Sequence, residues 1–347
     1  LFDVNNATFL PGSYSGPAYT VLDTSGLPPR TDVSKKVAIV YSESTAARFF
    51  GNADVNINKT GYSQLFMAAQ NQAAMAGVPF DLLTEADLTN LANLVNYDAI
   101  IFPSFQFVNS ANVTAISNNL MLLAQNYNTS FITAGNFMTS DQNGMVLADT
   151  YARMKAFFDL QGDGDGTAVS NVITSAGAGF GGVGGYSAGE QIHAYANTGF
   201  LKFADATPGV SALTVIDNQT VAGVTSAAVV ASSINGDRNV HFATEALLGD
   251  NNQLWQAIQY AVGGATGPTV GLQMGRQSAI VASRNDMDQS QELGDVNPPG
   301  GAPGIYDVLL PILKQWKANY NFVGSYYINV GNDPANGLTT DWTISRP

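Results

Sequence analysis

The stretch "VAIVYSE", residues 37 to 43, decides the fold. Val37 to Val40 run apolar without a polar alternation, which is the pattern of a short strand buried on both faces of a parallel sheet. The sequence around it repeats the theme. "TGYSQLFMAAQNQAAMAG" (60 to 77) predicts a helix stopped by Gly77, and "PFDLLT" (79 to 84) predicts a second strand. Leu88, Leu91 and Leu94 recur at helical spacing in "EADLTNLANLVN", so a second helix is expected there. "YDAIIFPSF" (97 to 105) reads as a third strand, "SANVTAISNNLMLLAQNY" (110 to 127) as a helix and "SFITAG" (130 to 135) as a fourth strand. Strand and helix alternate, which implies right-handed crossovers and a parallel sheet. The expected fold class is α/β, a flavodoxin-like doubly wound domain over residues 35 to 265.

In such sheets ligands settle at the carboxyl ends of the strands, so the loops after Tyr41, Pro103 and Ala134 form the expected rim. That rim carries Ser42, Glu43, Ser104 and Asn136, and Glu43 and Asn136 are its candidate carbohydrate contacts. The arrangement resembles the class I amidotransferase-like fold. The chain has no cysteine, however, so that fold's thiol nucleophile does not exist here. A hydrolase working through Ser42 or Ser104 would need a histidine partner, and neither serine has one in a recognisable arrangement.

Residues 1 to 34 are rich in Gly, Pro, Ser and Asn and read as an extended segment and linker. Residues 159 to 189 carry a glycine every few positions, which predicts a loop with at most a short strand, because glycine weakens both helix and strand. Asp163 and Asp165 in "GDGDG" imitate the opening of a calcium loop, but Thr174 stands where its acidic closing ligand belongs, so a solvated acidic turn is expected. Residues 199 to 250 read as several short strands with Asn-Gly and Gly-Asp turns, completing a β-rich insertion over about 159 to 250. "RNVHFAT" should return to the main sheet as a strand, with His241 packed or hydrogen-bonded, and "NQLWQAIQYAVGG" (252 to 264) should be a final helix. His193 follows Glu190 by three positions, a pairing common on ordinary surfaces.

A linker at 264 to 268 opens a second domain, 268 to 347. There the apolar run Ala279 to Ala282 precedes "SRNDMDQS", which sets Asp286 and Asp288 at a strand end and, if extension continues, on one face. Two carboxylates so placed can divide labour, one taking a proton from a metal-bound water and the other ligating the metal. A helix cap or an acidic turn is the plainer alternative. "GIYDVLLPILKQWKANYN" (304 to 321) predicts a helix with Leu309, Ile312, Leu313 and Trp316 on one face, Trp316 in a core, and Pro311 either in the first turn or at a kink. "FVGSYYINV" (322 to 330) predicts the next strand.

Taken with "GLTTDWTISRP", these segments resemble the opening of the polysaccharide deacetylase barrel, most closely the galactosaminogalactan-type N-acetylgalactosamine deacetylases of fungi and bacteria, over roughly residues 269 to 347. The resemblance implies a non-catalytic upstream region, with an amidotransferase-like sheet and a carbohydrate-binding portion, followed by the first β/α units of a deacetylase-type barrel. It would make Asp286 the general base and Asp288 a ligand of a divalent metal, zinc by preference, in a secreted enzyme that hydrolyses the amide of an N-acetylhexosamine polymer. The family completes its site with a paired-histidine segment that this chain lacks, since His193 and His241 lie upstream. One carboxylate binds a divalent metal weakly, so this chain alone is expected to hold no metal tightly and to be inactive, either as the front part of a longer deacetylase or as a relative that has lost the reaction and kept its binding surface. The alternative is a non-catalytic carbohydrate-binding or cell-surface structural protein that forms filaments, with Trp342 as a candidate stacking face for sugar.

The totals agree with an exported glycan-handling protein and exclude other classes. A formal net charge of −13 repels nucleic acid and anionic lipid. No apolar stretch approaches the roughly 20 residues that span a bilayer. The start "LFDVNNATFLPGSYSG" fits a mature end left by signal-peptide removal. Low lysine, plentiful Asn, Gly, Ser and Thr, and the missing cysteine suggest a secreted or cell-surface bacterial protein. Sequons at Asn6, Asn58, Asn112, Asn128 and Asn218 are no more than an Asn-rich chain throws up by chance.

Overall fold

The computed structural model of the protein describes residues 26–180, 185–208, 212–234, 237–249, 251–263 and 298–322, with the backbone of four short strands outside them. The chain divides into two compact units, Leu1–Arg276 and Gln277–Pro347. In the first unit β1 (Phe2–Asp3) and β2 (Thr8–Phe9) pair antiparallel, apart from the main sheet.

Five parallel strands make the centre of that main sheet: β3 (Val37–Tyr41), β4 (Phe80–Thr84), β5 (Ala99–Phe102), β7 (Ser130–Ala134) and β13 (Asn239–Phe242). They lie in the order β4-β3-β5-β7-β13. Numbered along the chain this is 2-1-3-4-5, the order of doubly wound sheets whose ligand crevice opens between the first and third strands. Side-chain alternation explains why the quoted run is apolar throughout. Val37 and Ile39 pack on one face with Ala69 and Ala73 of α2 (Val55–Met75) and Trp255 and Ile258 of α5 (Gln253–Ala261). Ala38 and Val40 pack on the other, with Ile116, Leu120 and Leu123 of α3 (Val113–Asn126) and Phe157 and Phe158 of α4 (Ala152–Phe158).

The second face is strongly aromatic. Phe102, Phe105, Phe131, Phe137, Phe157 and Phe158 are all fully buried, with ring centroids such as Phe102 to Phe137 at 5.0 Å in edge contact. Each such ring contributes about 1.5–3 kcal/mol by burial, so this cluster fixes how α3 and α4 sit on the sheet.

Four antiparallel strands continue the sheet beyond β13: β12 (Val224–Ser232), β11 (Leu213–Val221), β9 (Leu160–Ser175) and β10 (Gln191–Asp205), in that order. The expected strand "RNVHFAT" is β13, and it pairs with β7 as its apolar pattern requires. Residues 176 to 180 and 185 to 189 of the glycine-rich segment are the loop and turn that glycine content predicts, but its first half is not. It is β9, one of the two longest strands, and rings explain it. A Cβ at Gly162 would lie 2.2 Å from the Tyr151 hydroxyl, and one at Gly166 would lie 3.1 Å from the Phe200 ring of the opposite strand. Aromatic rings laid on bare backbone supply the packing that the absent side chains do not. Asp163 and Asp165 are accordingly exposed strand residues, not members of a turn.

Two smaller expectations also change. The leucine spacing at 88, 91 and 94 gives two 3₁₀ turns, Asp87–Thr89 and Leu91–Asn93, in place of a helix, with Leu88 and Leu94 buried. Helix α2 begins five residues before the expected start, because Asp54 accepts the Asn56 amide at 2.9 Å and caps it there. The sequon residue Asn58 is fully buried and bonded to Ala47 and Asn52, so it is closed to glycosylation in the folded chain.

In the second unit β14 (Arg284–Asp286) and β15 (Ser325–Tyr327) pair in parallel, and α6 (Ile305–Tyr320) lies between them in sequence. Helix α6 starts where Asp307 accepts the Gly304 amide at 3.0 Å. It runs on through Pro311, which sits in its second turn, so the helix neither begins nor ends at that residue. Trp316 is not in a core: it is 44% exposed and meets Phe322 edge-on at 5.5 Å.

Candidate functional site

The carboxyl ends of the parallel strands open onto a cavity of about 650 Å³. Its floor comes from β6 (Phe105–Val108), which pairs in parallel with β8 (Phe137–Asp141), and from the loops after β7 and β13, which together bring in Gln106, Asn136, Thr244 and Glu245. One wall is α2, through Gly61, Gln64, Leu65 and Ala68, with Phe49 and Phe50 arriving from the segment after α1 (Glu43–Ala46). The opposite wall is the β9–β10 ribbon, through Asp165, Gly166 and the run Thr198 to Leu201. The antiparallel extension of the sheet thus reaches back to cover the place where the parallel strands end.

Tyr62 of α2 holds the rim in register. Its hydroxyl donates to the Ser104 carbonyl at 3.0 Å and accepts from the Ser42 amide at 3.1 Å, tying the loop after β3 to the loop after β5. Burial keeps that phenol protonated by pushing its pKa up.

Glu245 is the most consequential side chain in the cavity. Its Oε1 accepts from the Ser104 hydroxyl at 3.1 Å, and it starts a short 3₁₀ helix capped by Thr244. The surrounding protein strips water from the carboxyl and raises its pKa, which the Ser104 bond only partly offsets. The carboxylate rests on the bare backbone of Gly135, where φ is +64° and a Cβ would lie 2.3 Å from Oε1. Glycine is required there twice over, by conformation and by contact.

Phe50 supplies the aromatic surface. The ring is 62% exposed and lies on Gly61, where a Cβ would come within 2.1 Å of it. A second hollow of about 330 Å³, lined by Asn56, Ile57 and Thr60, shares Phe50, Gly61 and Gln64 with the first cavity. Together the two make a groove that continues past an exposed ring.

The residues expected from sequence are distributed unevenly over this site. Asn136 lines the cavity, and its Oδ1 has no hydrogen-bond partner. Glu43 lies outside the cavity, exposed and ion-paired with Lys59 at 2.9 Å. Ser42 is the buried N-cap of α1, accepting from the Thr45 amide at 3.1 Å. Asp286 is the last residue of β14, whereas Asp288 and Trp342 lie outside the described residues. Glu245, Thr244, Gln106 and Phe50 went unread in the sequence. Including the loop after the fifth strand, "HFATEALLG", in the rim would have found the first two.

No protein-family model matches the sequence, and no curated protein matches it. Solved structures resemble it in part. Two are β-galactosidases: one from Bacillus circulans sp. alkalophilus, with a TM-score of 0.48 and 11% identity over 66% of this chain and 30% of that one, and a cold-adapted one from Rahnella sp. R3, with 0.48 and 11% over 66% and 31%. A putative ThuA-like protein from Bacteroides uniformis gives 0.45 and 11% over 68% of this chain and 94% of that one. The chain therefore spans about 30% of the length of those β-galactosidases. The likeness lies in the mixed α/β arrangement and assigns no residue a role.

Neither histidine completes a catalytic set. His241 is buried against Phe158 and Phe203, shares a hydrogen bond with the Thr133 hydroxyl through Nδ1 at 2.9 Å, and has its pKa lowered by burial to about 3. It is a neutral core residue, as its alternating strand suggests. His193 stacks on Tyr195 within β10, with ring centroids 4.2 Å apart. Among the described residues no cluster of three His, Cys, Asp or Glu is placed to hold a metal ion, and none of the described helices is long and apolar enough to cross a membrane.

Proposed function

We propose that the first unit is a glycan-binding module and that the second opens the catalytic domain of a polysaccharide deacetylase. The observation that carries the first half is the exposed Phe50 ring, seated on Gly61 between two adjoining hollows whose other walls mix apolar and polar side chains. Sugars present an apolar face to a ring and hydroxyls to amides and carboxylates, and Phe50, Gln64, Gln106, Asn136 and Thr244 offer both. The continuation past Phe50 suits a chain of sugars over a single ring. Ser104 is bonded to a carboxylate and has no histidine among its partners, so this cavity is better made for holding a glycan than for cleaving one.

The second half rests on the resemblance stated above, and the parallel β14–β15 pair with Asp286 at the end of β14 is in keeping with it. Asp286 as base and Asp288 as metal ligand form an incomplete donor set for zinc, which takes three or four protein ligands. The described residues add none. The complete enzyme would supply the rest, act outside the cell and take an amino-sugar polymer as substrate.

Titration calorimetry of the chain and of Phe50→Ala with oligosaccharides of N-acetylhexosamine and hexosamine tests the first half. Loss of about 1–3 kcal/mol of binding in the variant is expected, as for a lost stacking ring. Undiminished binding by Phe50→Ala would remove the assignment. For the second half, acetate release by the longer enzyme should vanish in Asp286→Asn and survive in Ser104→Ala.

A further inference from the structure

The cavity walls carry charge of one sign. Glu245 and Asp165 both line it, and among the described residues no lysine or arginine does. Glu245 accepts hydrogen bonds only from neutral groups, its own backbone amide and the Ser104 hydroxyl, and takes part in none of the ion pairs found among the described residues. A carboxylate withdrawn from water without a counter-charge is costly to keep ionised, and a cation entering from the cavity would remove that cost. Phe50 and Phe200 add two ring faces that attract cations.

An ammonium group has three donors, a positive charge and no acceptor, which is the complement of a carboxylate beside ring faces. We infer that this cavity selects sugars bearing a free, protonated amine over their N-acetylated counterparts, with Glu245 as the residue that reads the charge. The inference rests on the glycan-binding reading and gives it a direction: the module would grip polymer from which acetyl groups have been removed, not the polymer awaiting removal. An N-acetyl group offers a single N–H, carries no charge, and would bring a methyl group against the Glu245 carboxylate.

The test compares a glucosamine tetrasaccharide with the fully N-acetylated tetrasaccharide by titration calorimetry, at low and at high salt, on the chain, on Glu245→Gln and on Asp165→Asn. The expected result is binding of the amine form at least about tenfold tighter than the acetylated form, a preference that weakens with salt. Glu245→Gln should abolish the preference, bringing the affinities for the two sugars together. Asp165 is exposed on the ribbon, so Asp165→Asn keeps the fold intact and should lower the preference by a smaller factor. Equal affinities for the two sugars, or a preference untouched in both variants, would overturn the inference and leave the glycan-binding reading standing. Absence of binding to either sugar would overturn both.

Discussion

Asp217 makes the stability of the first unit fall as the pH rises. The residue lies on β11 with 0% of its surface exposed, and neither carboxylate oxygen has a hydrogen-bond partner. Burial raises its pKa to about 8, and a loose approach by Gln253 offsets little of that. An unfolded aspartate titrates near 3.9. Between those two values the folded chain keeps a proton that the unfolded chain releases, so the stabilisation is complete below about pH 4 and is lost as pH climbs towards 8. The slope is about 1.4 kcal/mol per pH unit, or about 3 kcal/mol between pH 5 and pH 7. For a unit of this size that corresponds to a fall in Tm of about 6–12 °C. Asp237, also buried and raised to about 7, acts with the same sign, so the wild-type slope is a composite. Asp217→Asn isolates the term, since the amide copies the protonated carboxyl in shape and does not titrate. Urea unfolding at pH 5, 6 and 7 should show the two proteins closest at pH 5 and the variant gaining about 1.4 kcal/mol on the wild type with each unit. Parallel curves would refute the reasoning, because they would mean that Asp217 is already ionised in the folded chain.

Other consequences follow from the same geometry. Gly135→Ala forces a Cβ into the Glu245 carboxylate at a positive φ, and should cost about 1–3 kcal/mol in thermal unfolding and weaken any ligand held by Glu245. Ser42→Ala deletes the cap of α1 and should cost about 1 kcal/mol in urea unfolding. Trp316→Ala should change stability by less than about 1 kcal/mol, since nearly half the side chain is already in solvent; a loss of the about 3–5 kcal/mol typical of a core tryptophan would show that the ring is covered in solution.

The parallel core was legible because its strands are buried on both faces. β3, β5 and β7 carry near-continuous apolar runs, and no helix could use them so completely. What stayed hidden was set by partners distant in sequence. Nothing in "GDGDG" announces that Tyr151 and Phe200 will lie on its glycines, so local weakness was mistaken for a loop. The leucines at 88, 91 and 94 fit a helix, yet the connection resolves into two 3₁₀ turns, which bury Leu88 and Leu94 just as well. Asn136 could be placed on the rim from the strand pattern alone, whereas the role of Glu245 depends on Ser104 and Gly135, more than 100 residues earlier in the chain.

The outer wall of the cavity is made by strands of the main sheet. β9 is bonded to β11 along residues 171 to 175 and to β10 along nearly its whole length, so the strand that extends the sheet is the same one that lines the cavity. Side chains alternate along a strand, so adding or deleting two residues in each member of the ribbon would resize the opening and leave every remaining side chain on its own face. Changes of that kind would leave β3, β5 and β7 untouched. The reach of the cavity in this architecture is therefore a dimension that can vary by even steps, independently of the scaffold that holds Glu245.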